Sequence, residues 1–175
     1  MTSPYDIQLD NWLNQEKAGV NLLNSVGTLM YDKGIELVLF RRHLLEIGVS
    51  ELMNYISYAN NVVGRKNNVE TMSLLAAEML NMNLSASKID IGLLTAEYIE
   101  SNSTSTDEFL SEKLKHIIGA DTSSKQAKDV VLYGFGRIGR LAARELIKQA
   151  GKGEQLRLKA IVVRKLNNAQ ITKRA

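Results

Sequence analysis

Gly134, Gly136 and Gly139 stand at G-x-G-x-x-G spacing, directly after the β-forming run Val130, Val131, Leu132 and Tyr133. Glycines at that spacing, between a strand and a helix, serve to hold an anion, a dinucleotide pyrophosphate above all. Gly134 lets the chain turn tightly out of the strand. Gly136 lets the backbone approach a phosphate with no Cβ in the way. Gly139 lets the new helix pack closely on the sheet. The first N–H groups of that helix, around Arg137 and Ile138, lack helical partners and point at the anion, and the helix dipole adds to the attraction.

Such a turn needs elements on both sides to hold it. The run Val130 to Tyr133 reads as a strand buried on both faces of a parallel sheet. After the turn, LAARELIKQA reads as a helix that stops at Gly151, and Leu156 to Val163, LRLKAIVV, reads as a second strand. The segment is a βαβ unit of the expected size. A glycine triplet alone is a weak signal, and the flanking strand and helix are what raise it. The bland alternative is a glycine-rich turn that binds nothing.

The end of the second strand bears on the choice of cofactor. The usual NAD fingerprint places Asp or Glu there, bonded to the ribose 2′-hydroxyl. Here the chain reads Ala160-Ile161-Val162-Val163-Arg164-Lys165, with no acid. Arg164, together with Lys165, would suit the 2′-phosphate of NADP. The bland alternative is a pair of solvated basic residues.

The stretch YGFGRIGRLAAREL resembles the start of the cofactor domain of glyceraldehyde-3-phosphate dehydrogenase. That family opens with a G-F-G-R-I-G-R turn, matched here by Gly134, Phe135, Gly136, Arg137, Ile138, Gly139 and Arg140. The resemblance covers about Asp129 to Ala175. The chain before it resembles the long helical extension of some bacterial members. What the resemblance implies is an NAD- or NADP-dependent, phosphorylating aldehyde dehydrogenase with a Rossmann-type cofactor domain, acting on glyceraldehyde 3-phosphate and phosphate as a homo-oligomer. It also implies a cysteine thiolate nucleophile and a histidine base. This chain has no cysteine, and His43 and His116 both precede the cofactor turn. Cofactor positions are therefore carried over, catalytic and metal residues are not, and the chain by itself is expected to be inactive.

Composition gives broader bounds. The 175 residues could hold one domain, or a small domain plus part of another. The absence of cysteine excludes disulfides and fits a reducing compartment. The opening MTSPYDIQLD lacks a basic region followed by an apolar core, and the apolar runs are too short to span a bilayer, so a cytoplasmic location is expected. The net charge of +3 is unevenly spread. From Lys125 onward there are 13 Lys and Arg against 3 Asp and Glu, a net of +10, which leaves 9 basic and 16 acidic residues before it, a net of −7. A basic half can bind nucleic acid. Arg137, Arg140, Arg144 and Lys148 lie in or beside the cofactor turn and its helix, so an anionic dinucleotide is the simpler partner.

Residues 1–119 read as an all-α domain. Helical spacing runs from Ile7 to Asp32, with Trp12, Val20, Leu23, Val26 and Met30 as its apolar residues and Gly34 as the stop. Ile35 to Phe40, IELVLF, is ambiguous between strand and helix. Further helices are expected over Ser50–Val63, over Asn68–Met82 with Asn68 as N-cap, over Ile89–Ile99, and from a Ser105/Glu108 capping box through Ile118 to Gly119. The stretch 120–128, ADTSSKQAK, reads as a linker, and 129–175 as the start of the dinucleotide-binding domain.

Chemistry is thin in the helical part. Arg41, Arg42 and His43 could grip phosphate, although such clusters are more often solvated faces. His116 near a helix C-terminus suits a capping role. Met30, Met53, Met72, Met79 and Met82 suit a core, and Asp107, Glu108 and Glu112 suit a helix N-terminus. Three readings follow: the N-terminal portion of a glyceraldehyde-3-phosphate dehydrogenase, a non-catalytic helical interaction module that keeps a cofactor turn, and another NAD(P)-dependent oxidoreductase sharing that turn.

Overall fold

The computed structural model describes residues 3–101, 103–119, 128–148 and 156–163. The chain divides into two compact units, Met1–Asp121 and Thr122–Ala175.

The first unit opens with a long helix, α1 (Pro4–Lys33). Ser3 and Asp6 start it with a reciprocal capping box, and Gly34 ends it in the left-handed conformation at φ 67°. Two strands follow, β1 (Ile35–Leu39) and β2 (Arg42–His43), then α2 (Val49–Tyr58), which runs into a π-helical turn, Ala59–Val63. Next come α3 (Val69–Asn81), β3 (Ser87–Asp90), α4 (Ile91–Ser101) and α5 (Thr106–Lys113). The Asn68 side chain caps α3 through the Thr71 N–H at 2.7 Å. The Lys33 ammonium donates to the carbonyls of Leu80 and Met82 at the other end of α3, at 2.6 and 2.8 Å.

The unit is not all-α. A three-stranded sheet in the order β2-β1-β3 lies within it, antiparallel between β1 and β2 and parallel between β1 and β3. The reason lies in the run IELVLF. Ile35, Leu37, Val38 and Leu39 are all buried, so the run shows neither the period of 2 nor that of 3.6. What makes it a strand is its pairing with Ser87–Asp90, about fifty positions away, where Leu37 sits opposite Ile89. This also corrects the helix expected over Ile89–Ile99: Ile89 is in β3, and the helix starts at Ile91. The Asp90 carboxylate accepts the Leu93 N–H at 3.1 Å and so opens α4.

The last helix is shorter than expected. Ser105 accepts the Glu108 N–H at 3.2 Å, but α5 ends at Lys113, and Ile118 bridges back to Leu84. Phe109 packs edge-on against Tyr98 with ring centroids 5.2 Å apart, which joins α5 to α4. Leu22, Leu29, Leu37, Leu39, Leu52, Met72, Leu75, Met79 and Leu110 form the centre of the core. Met53 and Met82 pack on its edge, so the methionines fill space as expected.

The second unit holds β4 (Lys128–Tyr133), α6 (Arg137–Lys148) and β5 (Leu156–Val162). The two strands are parallel, with Val131 opposite Ala160 and Tyr133 opposite Val162. Asp129 holds Arg157 at 3.3 Å and Lys159 at 3.4 Å. β4 is not buried on both faces within this unit: Val131 and Tyr133 are exposed, whereas Val130 and Leu132, on the opposite face, are half-buried. Among the described residues of this unit, two strands and one helix leave the second face uncovered.

Candidate functional site

The turn from β4 into α6 brings the sequence-picked glycines together. Gly134 has φ +104°, a conformation that a side chain would strain, and its N–H donates to the Val162 carbonyl at 2.7 Å. That bond ties the turn to the end of β5. Gly139 closes on the turn itself: a Cβ there would lie 2.3 Å from the Gly134 carbonyl oxygen. The close approach is thus to the turn's own backbone rather than to the sheet. At Gly136 a Cβ would meet nothing within 4 Å. The space over this residue is open, which is where a phosphate needs to come in.

Gly136 also begins the helix. Its carbonyl accepts the Arg140 N–H at 3.1 Å. The amides of Arg137, Ile138 and Gly139 therefore fall in the first turn, where no helical carbonyl is available to them. The Arg137 and Ile138 side chains are exposed and Phe135 is half-buried. First-turn amides at the positive end of a helix, beside an open glycine, are the groups an anion site is built from. Arg164 and Lys165 lie outside the described residues. The described end of β5, Ala160 to Val163, carries no acid.

The basic cluster of the first unit has a structural use. Phe40 and Arg41 form the two-residue tip between β1 and β2, with φ of 45° and 72°. Arg42 is held between two tyrosine rings, 4.7 Å from the centroid of Tyr55 and 4.5 Å from that of Tyr58. The Tyr55 hydroxyl donates to Glu51 at 2.5 Å. That bond to a carboxylate, aided by the carboxylate's negative charge, holds the phenol above its ordinary pKa. His43 pairs with Glu36, which Lys88 also reaches at 3.3 Å. Sequence reading had marked Arg41, Arg42 and His43 but missed this stack; the three-residue spacing of Tyr55 and Tyr58, on one helical face, was its only local sign. His116 is exposed in the turn after α5. Among the described residues no group of three His, Asp or Glu is placed to hold a metal ion, and no helix is long and apolar enough to cross a membrane.

No protein-family model matches the chain. A protein named glyceraldehyde-3-phosphate dehydrogenase-like, from Pseudomonas aeruginosa (strain UCBPP-PA14), is 44% identical over 108 residues. The match covers 61% of this chain but 23% of that protein, so the chain spans less than a quarter of the relative's length. The matched stretch is longer than the whole Thr122–Ala175 unit, so it includes part of the helical unit as well. Together with the G-F-G-R-I-G-R turn at Gly134–Arg140, this similarity points toward the glyceraldehyde-3-phosphate dehydrogenase family.

Proposed function

We propose that this chain supplies the cofactor-entry portion of a nicotinamide-dependent, phosphorylating aldehyde dehydrogenase acting on glyceraldehyde 3-phosphate. In this reading Gly134 to Gly139 form the seat of a Rossmann-type pyrophosphate site. The carrying observation is the open space at Gly136 beside the first-turn amides of α6. The family relation supports the same assignment.

The residues present fit the cofactor in a definite way. The amides of Arg137, Ile138 and Gly139 would hold the pyrophosphate, and Gly136 would let it approach. The Arg137 guanidinium would add charge, and Arg164 would take the 2′-phosphate of NADP. When bound, the dinucleotide supplies the hydride acceptor. This chain contributes binding and orientation, because it has no cysteine to act as thiol nucleophile. Turnover belongs to a longer protein that carries the cysteine and the histidine base.

Calorimetric titration with NADP and with NAD tests the assignment. Weak binding of both is expected, with NADP favoured. The isolated βαβ unit offers a pyrophosphate seat but little to hold the adenine and nicotinamide rings. Arg164→Asp should reverse the preference. Equal or better affinity for NAD, unchanged by Arg164→Asp, would remove the NADP assignment. No binding of either at millimolar concentration would remove the cofactor site from this chain.

A further inference from the structure

Among the described residues, none packs on the first half of α1. Every residue from 3 to 15 is exposed, and burial in this helix begins at Gly19. At 1.5 Å per residue, the exposed stretch is about 20 Å of helix. A helix that short is marginal alone in water. This one is nevertheless firmly started: Pro4 stands in its first turn, Ser3 accepts the Asp6 N–H at 3.2 Å, and Asp6 accepts the Ser3 N–H at 2.9 Å.

Its side chains are wrong for a solvated face. Tyr5 is 69% exposed, Leu9 39%, Trp12 55%, Leu13 38% and Val20 57%. At the helical period these five fall within a sector roughly 100° wide. Leu22, Val26 and Leu29, which face the core, lie on a different side. The five leave roughly 500 Å² of largely apolar surface open, near the upper end for a patch on a monomer. Glu16 sits within the stripe and confines close apolar contact to Tyr5–Leu13.

The stripe carries its own electrostatic complement. Asp6 and Asp10 flank its start and Lys17 flanks its end, all on the same side, and Lys17 is the only Lys or Arg before Lys33. Two such helices laid antiparallel, with a twofold axis near Trp12, set Lys17 of each copy beside Asp6 and Asp10 of the other. A parallel pair would place these charged flanks on opposite sides of the seam, where Lys17 of one copy could not reach Asp6 or Asp10 of the other.

We propose that α1 is a self-association helix, through which two copies of this chain pair antiparallel on Tyr5, Leu9, Trp12 and Leu13. An isologous contact of this kind is closed, so it yields a dimer and no larger array. The area per copy falls below the roughly 800 Å² of a standard interface, so the dissociation constant is expected to be on the order of ten micromolar.

The 175-residue chain gives a direct readout, because Trp12 is its single tryptophan. Sedimentation equilibrium should show a monomer–dimer balance, with the Trp12 emission moving to shorter wavelength over the same concentration range. Leu9→Glu should abolish the dimer and leave the circular dichroism of the rest of the chain unchanged. Asp10→Lys and Lys17→Glu should each weaken the dimer about tenfold, and the double variant should recover part of the loss, since Asp6 still faces position 17. With no native cysteine to interfere, Leu13→Cys should cross-link to its twin near the axis. Tyr5→Cys should not, since the antiparallel pair holds the two copies about 20 Å apart along the helix. Equal cross-linking of both would overturn the antiparallel arrangement. A monomer at every concentration would overturn the self-association itself. That includes a monomer whose Trp12 emission is already shifted, which would mean that another segment of the same chain covers the stripe.

Discussion

Gly136→Ala and Gly139→Ala should separate the two tasks of the cofactor turn. A Cβ at Gly139 would lie 2.3 Å from the Gly134 carbonyl oxygen, an overlap of roughly 1 Å with a backbone atom that cannot rotate away. Either α6 shifts or the turn opens, at a cost typical of overpacking, about 1–3 kcal/mol. At Gly136 the Cβ meets nothing within 4 Å, and the residue is not among the positive-φ glycines. Alanine is a poorer N-cap than glycine by up to about 1 kcal/mol. The stiffer unfolded chain returns about 0.4–1 kcal/mol, so the net effect on folding is close to zero. The same methyl stands where a phosphate must approach, and dinucleotide affinity should fall at least tenfold, about 1.4 kcal/mol. Hydrogen exchange of the α6 amides measures the first effect and calorimetric titration with NADP the second. Gly139→Ala should speed exchange about tenfold or more, whereas Gly136→Ala should leave exchange alone and lose binding. Wild-type affinity in Gly136→Ala would refute the reasoning, because it would show that no phosphate comes near this backbone.

Three further outcomes follow from the packing and the caps. Amides of β4, α6 and β5 should exchange faster than those of β1 and α3, since one face of the β4–β5 pair is exposed while β1 is buried; equal strong protection in both units would contradict this. Met72→Ala empties a fully buried site and should cost about 2–5 kcal/mol in a denaturant titration, so a loss under 1 kcal/mol would mean that the core collapses to fill it. The Asp6 carboxyl is held below its ordinary pKa by the Ser3 N–H and then by the Ser3 hydroxyl. Its capping is therefore complete above the ordinary carboxylate pKa and is lost as pH falls through the lowered value. Carbon chemical shifts of Tyr5 to Ile7 followed by NMR should move toward coil in that range, and shifts that stay constant would count against the cap.

What could be read from the sequence was what is locally encoded. Gly34 and Gly64 stop their helices, and Asn68 starts α3, because caps act within one turn of the chain. The glycine turn at Gly134–Gly139 was legible for the same reason: strand, turn and helix are neighbours in sequence. The β1–β3 pair was not, since the partner of IELVLF lies about fifty residues away and the run carries no period of its own. Ile89 was drawn into a helix because it keeps helical spacing with Leu93, yet its burial comes from the sheet. Trp12 and Val20 hold helical positions that look like core, but spacing only states which residues share a face; whether anything packs on that face depends on the rest of the fold. Arg164 lies outside the described residues, so its role stands on the sequence alone.

The hairpin tip at Phe40 and Arg41 has a bearing on the order of folding. Both residues sit in left-handed backbone without being glycine, which costs about 1–2 kcal/mol each. The Phe40 N–H is met by the Asp90 carboxylate at 3.1 Å, and Leu39 and the Phe40 ring close over Gly92 in α4. A two-residue hairpin is ordinarily one of the earliest structures a chain forms. Here its bend is uphill until Asp90 and Gly92 arrive from fifty positions downstream. The shortest-range strand pair among the described residues should therefore form late, gated by one of the longer-range contacts, and Asp90→Ala should slow folding through a hairpin that Asp90 is not part of.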